Sequence, residues 1–133
     1  MKYFLMISIS FLLFCFLFLQ FYNGNSSKEF IANVTKQENP FTVSKDSATI
    51  IWRRASQYLE NNKLLIVGGN LLREDSVLYM PYYNDFHKGN SLRIQMNARN
   101  DSVIFKVNSW YSGKDNSYSA KKIAYFMQTG MYK

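Results

Sequence analysis

Cysteine, histidine and acid are scarce in this sequence, and each scarcity excludes a chemistry. The 133 residues hold one Cys, Cys15. No disulfide, thiolate metal site or cysteine nucleophile is therefore available to the chain beyond it. His87 is the single His, so a His pair for a metal is missing and any Ser/His/Asp constellation would rest on that one side chain; Asp85 could orient it, but in its polar loop His87 reads as a solvated residue. Asp and Glu number nine, and Glu74-Asp75 is the one adjacent pair. Neighbouring acids in a strand-flanking turn point apart, which is unsuited to two-carboxylate hydrolysis. Gly68-Gly69 is followed by neither Gly-Lys-Ser/Thr nor a third Gly, so it reads as a bend rather than a phosphate loop. No metal, cofactor or catalytic residue is assigned, and the chain is read as a non-enzyme.

What is abundant lies at the amino end. Six of the 11 Phe fall within the first 22 positions, and no charge appears from Tyr3 to Tyr22. As a helix this run spans roughly 30 Å, about the hydrocarbon thickness of a bilayer. Six Phe, five Leu and two Ile between Phe4 and Phe21 favour insertion by roughly 4–8 kcal/mol before the Ser and Gln penalties. Tyr3 and Tyr22 sit where rings prefer the headgroup level, and Lys2 gives a positive flank. The run predicts a transmembrane anchor over residues 1–22; the competing reading is a cleaved signal, with Gly24-Asn25-Ser26 a poor cleavage match. Either way the domain is expected outside the cytoplasm, anchored at the membrane or else cleaved and secreted or periplasmic.

Residues 23–40 are polar and read as a tether, with residues 41–133 as the folded domain. Ala48, Ile51, Trp52, Ala55, Tyr58 and Leu59 recur at three- and four-residue steps, predicting an amphipathic helix that starts near Ser44. Ser44 or Asp46 suits its amino end and Asn61-Asn62 its carboxyl end. A second helix is expected over Ser119–Thr129, with Ala120, Ile123, Ala124 and Met127 inward, Lys121 and Lys122 off that stripe, and Gly130 as the stop. Between them, β-rich runs occupy Leu64–Val67, Val77–Met80, Leu92–Ala98 and Val103–Tyr111, and Phe41–Val43 makes a further short strand.

If Asn100-Asp101 is a two-residue turn, Ala98 faces Val103, Met96 faces Phe105 and Ile94 faces Val107, so one face of the hairpin is apolar. The other carries Arg93, Gln95, Asn97, Lys106 and Asn108; a slip of one residue would bury them. Arg73–Tyr79 echoes Arg99–Phe105, as two similar turns entering strands. The fold class that results is α+β: an antiparallel meander of four strands, or five with Phe41–Val43, both helices on one face, and the transmembrane or signal helix in front.

Such a meander puts the turns at 73–76 and 99–102 at one end and the loops at 83–90 and 112–117 at the other. The second end gathers Tyr82, Tyr83, Phe86, His87, Lys88, Trp110, Tyr111 and Lys114, aromatic faces among cations, a mixture suited to sugars, peptides or anionic groups. Tyr82 and Trp110 could equally cap the core while the lysines stay in water. Net charge is 16 − 9 = +7, and +6 without Lys2. A basic domain near a bilayer attracts anionic headgroups or wall polymers, with Arg53-Arg54 and Lys121-Lys122 as the basic pairs. Nucleic acid is not expected for an outward-facing domain without a recognition motif.

Trp52-Arg53-Arg54-Ala55, Tyr58-Leu59 and Ala120–Phe126 with Thr129-Gly130 together resemble small exported or membrane-anchored bacterial domains of unknown function, over residues 44–130. The resemblance implies an α+β sandwich and transfers no catalytic or binding residue. The expected function is that of a membrane-tethered or exported, non-catalytic interaction domain with a protein partner in an envelope assembly. The alternative is a binding module for anionic polysaccharide or lipid headgroups at the aromatic and basic loop end.

Overall fold

The alternating pattern around Asn100-Asp101 forms the hairpin it predicts. In the computed structural model, β4 (Lys88–Ala98) and β5 (Ser102–Tyr111) pair antiparallel with Ala98 opposite Val103, Met96 opposite Phe105 and Ile94 opposite Val107. The structure describes residues 27–62, 72–85 and 88–132, with the backbone alone for residues 72, 82–85 and 88–90. The expected anchor over 3–22 and the expected strand at Leu64–Val67 lie outside these. Among the described residues no helix is long and apolar enough to cross a membrane.

The protein is α+β with an antiparallel sheet, as expected, but among the described residues the sheet has six strands in the order β1-β5-β4-β3-β2, with β6 also on β5. Strands β2 (Leu72–Arg73), β3 (Val77–Asp85), β4 and β5 follow one another as a meander. β1 (Phe41–Ser44) instead crosses to the far side and pairs with β5, Phe41 opposite Phe105. The two echoing turns are both hairpin turns: Glu74 N–H donates to Val77 O at 2.8 Å and Arg99 N–H to Ser102 O at 2.8 Å.

The expected loops are shorter than the sequence suggested. Strand pairing continues through Tyr83–Asn90, Asn84–Gly89 and Asp85–Lys88, so the 83–90 segment is mostly ladder, after a register shift between Met80 and Tyr83. The 112–117 segment holds β6 (Lys114–Asp115), joined to β5 by Ser112 (φ 48°) and Gly113 (φ 76°). Two successive positive φ values define the tight turn whose twist matches a hairpin, and Gly113 takes its share without a Cβ.

One face of the sheet is apolar because every second residue is. Leu78, Met80, Leu92, Ile94, Val103, Phe105 and Val107 are all buried there, together with Ser109. Of the three helices among the described residues, α1 covers residues 27–36, α2 runs Lys45–Asn62 and α3 runs Ser117–Thr129. Helices α2 and α3 join that face in one core through Ala48, Ile51, Ala55, Tyr58 and Leu59, and through Ala120, Ile123, Ala124 and Met127. These are the stripes the sequence spacing marked, with Trp52 packed at the margin.

The helix ends follow local chemistry. Asn62 Nδ2 donates to Tyr58 O at 2.7 Å and closes α2. Asn116 Oδ1 accepts from Ser119 N–H at 3.1 Å and caps α3, which begins at Ser117, two residues before the start expected for this helix. Gly130, at φ 76°, donates its N–H to Phe126 O and ends α3 as expected.

One expectation is corrected by the packing. Lys122, assigned to the polar side of its helix, is buried, and its Nζ lies 5.1 Å from the centroid of the Tyr132 ring. Beyond Gly130 the chain brings Tyr132 to within 6 Å of both Tyr58 and Phe126, and a Lys stem is long enough to run along that apolar cluster to a ring face. The compact unit that holds the sheet runs from Val34 to Tyr132. Val34 is fully buried, and Lys121 Nζ donates to Thr35 O at 2.8 Å.

Asn39 lies between Val34 and β1. Its side-chain amide donates to Val107 O at 2.7 Å and its Oδ1 accepts from Val107 N–H at 2.9 Å, in the place a neighbouring strand would occupy. Asn116 N–H then takes Ser109 O at 2.7 Å. The stretch of β5 between β1 and β6 thus has its backbone groups satisfied, which removes an edge that another chain could join.

Candidate functional site: the open face of the sheet

With both packed helices on one side, alternation sends the intervening residues of β3, β4 and β5 to the other. Register arranges them in rows across the strands. Val77, Gln95 and Lys106 form one; Tyr79, Arg93 and Asn108 the next; Ser91 and Trp110 the third, with Asp115 of β6 beyond. Adjacent strands lie about 4.8 Å apart and rows about 6.8 Å. Arg93 therefore sits directly beside Tyr79 and diagonally across from Trp110, at about 7–8 Å between backbones, within reach of an aromatic side chain.

These residues line a groove of about 520 Å³, whose wall also includes Val77, Ser91 and, from the β2–β3 turn, Glu74. That volume falls in the range of roughly 300–1,000 Å³ typical of small-ligand sites. Its chemistry is mixed: two aromatic rings, one guanidinium, one carboxylate and a hydroxyl. Arg93 is exposed and forms no salt bridge among the described residues. Trp110, Tyr79 and Ser91 are each half-buried, so their faces and edges remain available on that side.

Of the eight residues that the sequence places at the loop end, the structure describes the side chains of Trp110, Tyr111 and Lys114. Trp110 and Tyr111 are consecutive in β5 and so point to opposite faces. Trp110 pairs with Asp115 and with Ser91, while Tyr111 pairs with Lys114 and Asn90. Tyr111 and Lys114 are both exposed. Tyr83 and Lys88 pair with Asn90 and Asp85 by backbone register. Their side chains, and all of Phe86 and His87, lie outside the described residues. Tyr79 and Arg93 were absent from that set, although the polar face carrying Arg93 was visible in the hairpin pattern. Extending its parity to Tyr79 and Trp110 would have located the groove.

The basic pairs do not act as matched free charges either. Arg54 Nη1 donates to Met127 O at 3.1 Å and to Gln128 O at 2.5 Å, tying α2 to the end of α3. Arg53 beside it is exposed. Among the described residues no group of three or more His, Cys, Asp or Glu comes together as a metal site would require. No protein-family model matches this sequence, and none of the curated proteins matches it.

Proposed function

We propose that this chain is a non-catalytic binding domain working outside the cytoplasm, held at a membrane by residues 3–22 or released after their removal, and that it meets an envelope partner through the open face of its sheet. The observation carrying this reading is the asymmetry of the sheet. One face is sealed by α2 and α3, and the other presents Tyr79, Arg93 and Trp110 around a groove. Aromatic and Arg side chains are the types that dominate binding energy where surfaces meet.

Binding at the loop end, through Tyr111 and Lys114, has weaker support, because Trp110 belongs to the opposite face. A photo-activatable residue in place of Asn108, irradiated in intact source cells, is expected to form an adduct with an envelope component. The same residue in place of Arg53, exposed on α2, is expected to form none. Adducts from position 53 alone, or adducts with cytoplasmic components only, contradict the proposal.

A further inference from the structure

We propose that the open-face groove holds a carboxylated sugar chain, with Arg93 receiving the carboxylate while Tyr79 and Trp110 lie against the sugar rings. The assignment rests on the reading of the open face as the binding surface and gives that surface a ligand class. It follows from three properties of the groove.

The first is that the groove lies in mid-sheet. Its floor is β4, whose backbone groups are engaged by β3 on one side and β5 on the other. A peptide that binds by adding a strand needs an unpaired edge, and β4 offers none along the groove floor. Whatever binds is read by side chains alone.

The second is the charge of the lining. Arg93 contributes one positive charge and Glu74 one negative, so the six lining residues among those described are neutral in sum despite the chain's net charge of +7. A dense polyanion, such as nucleic acid or a cluster of phosphates, gains little from a neutral lining and is repelled by Glu74. A ligand bearing one charge per ring and many hydroxyls suits it better. The carboxylate matches the planar fork of Arg93, which offers two parallel N–H donors, while Glu74 accepts from ligand hydroxyls and the Ser91 hydroxyl donates or accepts.

The third is the spacing of the rings. Tyr79 and Trp110 stand two strands and one row apart, about 12 Å between backbones, with Arg93 and Ser91 between them. Such a span fits successive rings of a polymer, one against each aromatic face with the charged group at the centre, better than a single small ring.

The test is calorimetric titration of the full chain, in uncharged detergent, with a short oligogalacturonate. Comparators are the fully methyl-esterified oligomer, which keeps the rings and loses the charge, and an oligoglutamate peptide, which keeps the charge and loses the rings. The acidic sugar is expected to bind, with at least tenfold weaker binding by the ester. Arg93→Gln and Trp110→Ala are each expected to weaken it at least tenfold, Arg93→Lys to restore part of the loss, and Arg53→Ala to leave it unchanged. Melting temperatures of the variants confirm their folding, since both positions lie on the outer face. Equal binding of acid and ester, or binding that survives both substitutions, overturns the proposal. Oligoglutamate binding that is lost in Trp110→Ala rejects the sugar and keeps the open face as the binding surface. Absence of binding by every probe rejects the sugar, while the open face itself stands or falls by the cross-linking at Asn108.

Discussion

Truncating Phe105 to Ala is expected to remove about 3–5 kcal/mol of folding stability, the largest single loss in the domain. The ring is fully buried in β5 and stacks on Phe41 at 5.5 Å between centroids. It also lies 6.2 Å from Trp52, so one side chain joins β1, β5 and α2. Its removal leaves a cavity bounded by three elements that cannot all collapse into it. Domains of this size have roughly 5–15 kcal/mol in total, and 1 kcal/mol corresponds to about 4–8 °C. Thermal unfolding should therefore fall by more than about 12 °C. Phe105→Leu, which fills most of the space, should cost far less. A loss under about 1 kcal/mol for the Ala variant would show that Phe105 is not the keystone of the core.

Arg54→Ala should cost about 2–3 kcal/mol, an unusual figure for a cation on a helix flank. Hydrogen bonds from a charged donor contribute about 1.5–3 kcal/mol each, and Arg54 places two on carbonyls in the last turn of α3, where the helix dipole also favours a cation. The adjoining Gly130 makes room for it: a Cβ there would stand 3.3 Å from Arg54 Nε, at a φ of 76° that other residues resist. Arg53→Ala, one position along and exposed, should fall within about 0.5 kcal/mol of the parent. Denaturant melts of the two variants side by side decide the matter, and equal losses would contradict the latch.

The elements legible in the sequence were those set by local periodicity. The two stripes facing the core, the Asn100-Asp101 register and the stops at Asn62 and Gly130 depend on residues within a few positions of one another. Partnerships made at long range were not legible. Nothing near Phe41 indicates that it will lie opposite Phe105, and nothing near Asn39 indicates that its amide will pair with the backbone of Val107 as a strand would. Burial of Lys122 likewise depends on Tyr132, ten residues on and past the helix stop, folding back over Tyr58 and Phe126.

The site was legible in part. Once Val107 was placed inward, alternation already fixed Trp110 outward and Tyr111 inward, yet gathering residues by loop end joined the two. Arg93 stood on the correct face from the start, but its aromatic neighbours come from β3 and from the far end of β5. Only the register of all three strands brings Tyr79, Arg93 and Trp110 together.

The account as a whole depends on which side of the sheet the helices leave uncovered, and a pair of adjacent substitutions reads this directly. In a Cys15→Ser background, Asn108→Cys should react with a maleimide in the folded protein, at least tenfold faster than Ser109→Cys, because Asn108 is half-exposed and its place in the register puts it on the open face. Ser109→Cys should be protected until the protein is unfolded, since Ser109 is fully buried beneath the helices' side. Comparable rates at the two positions, or protection at 108 with reactivity at 109, would contradict the assignment of the faces.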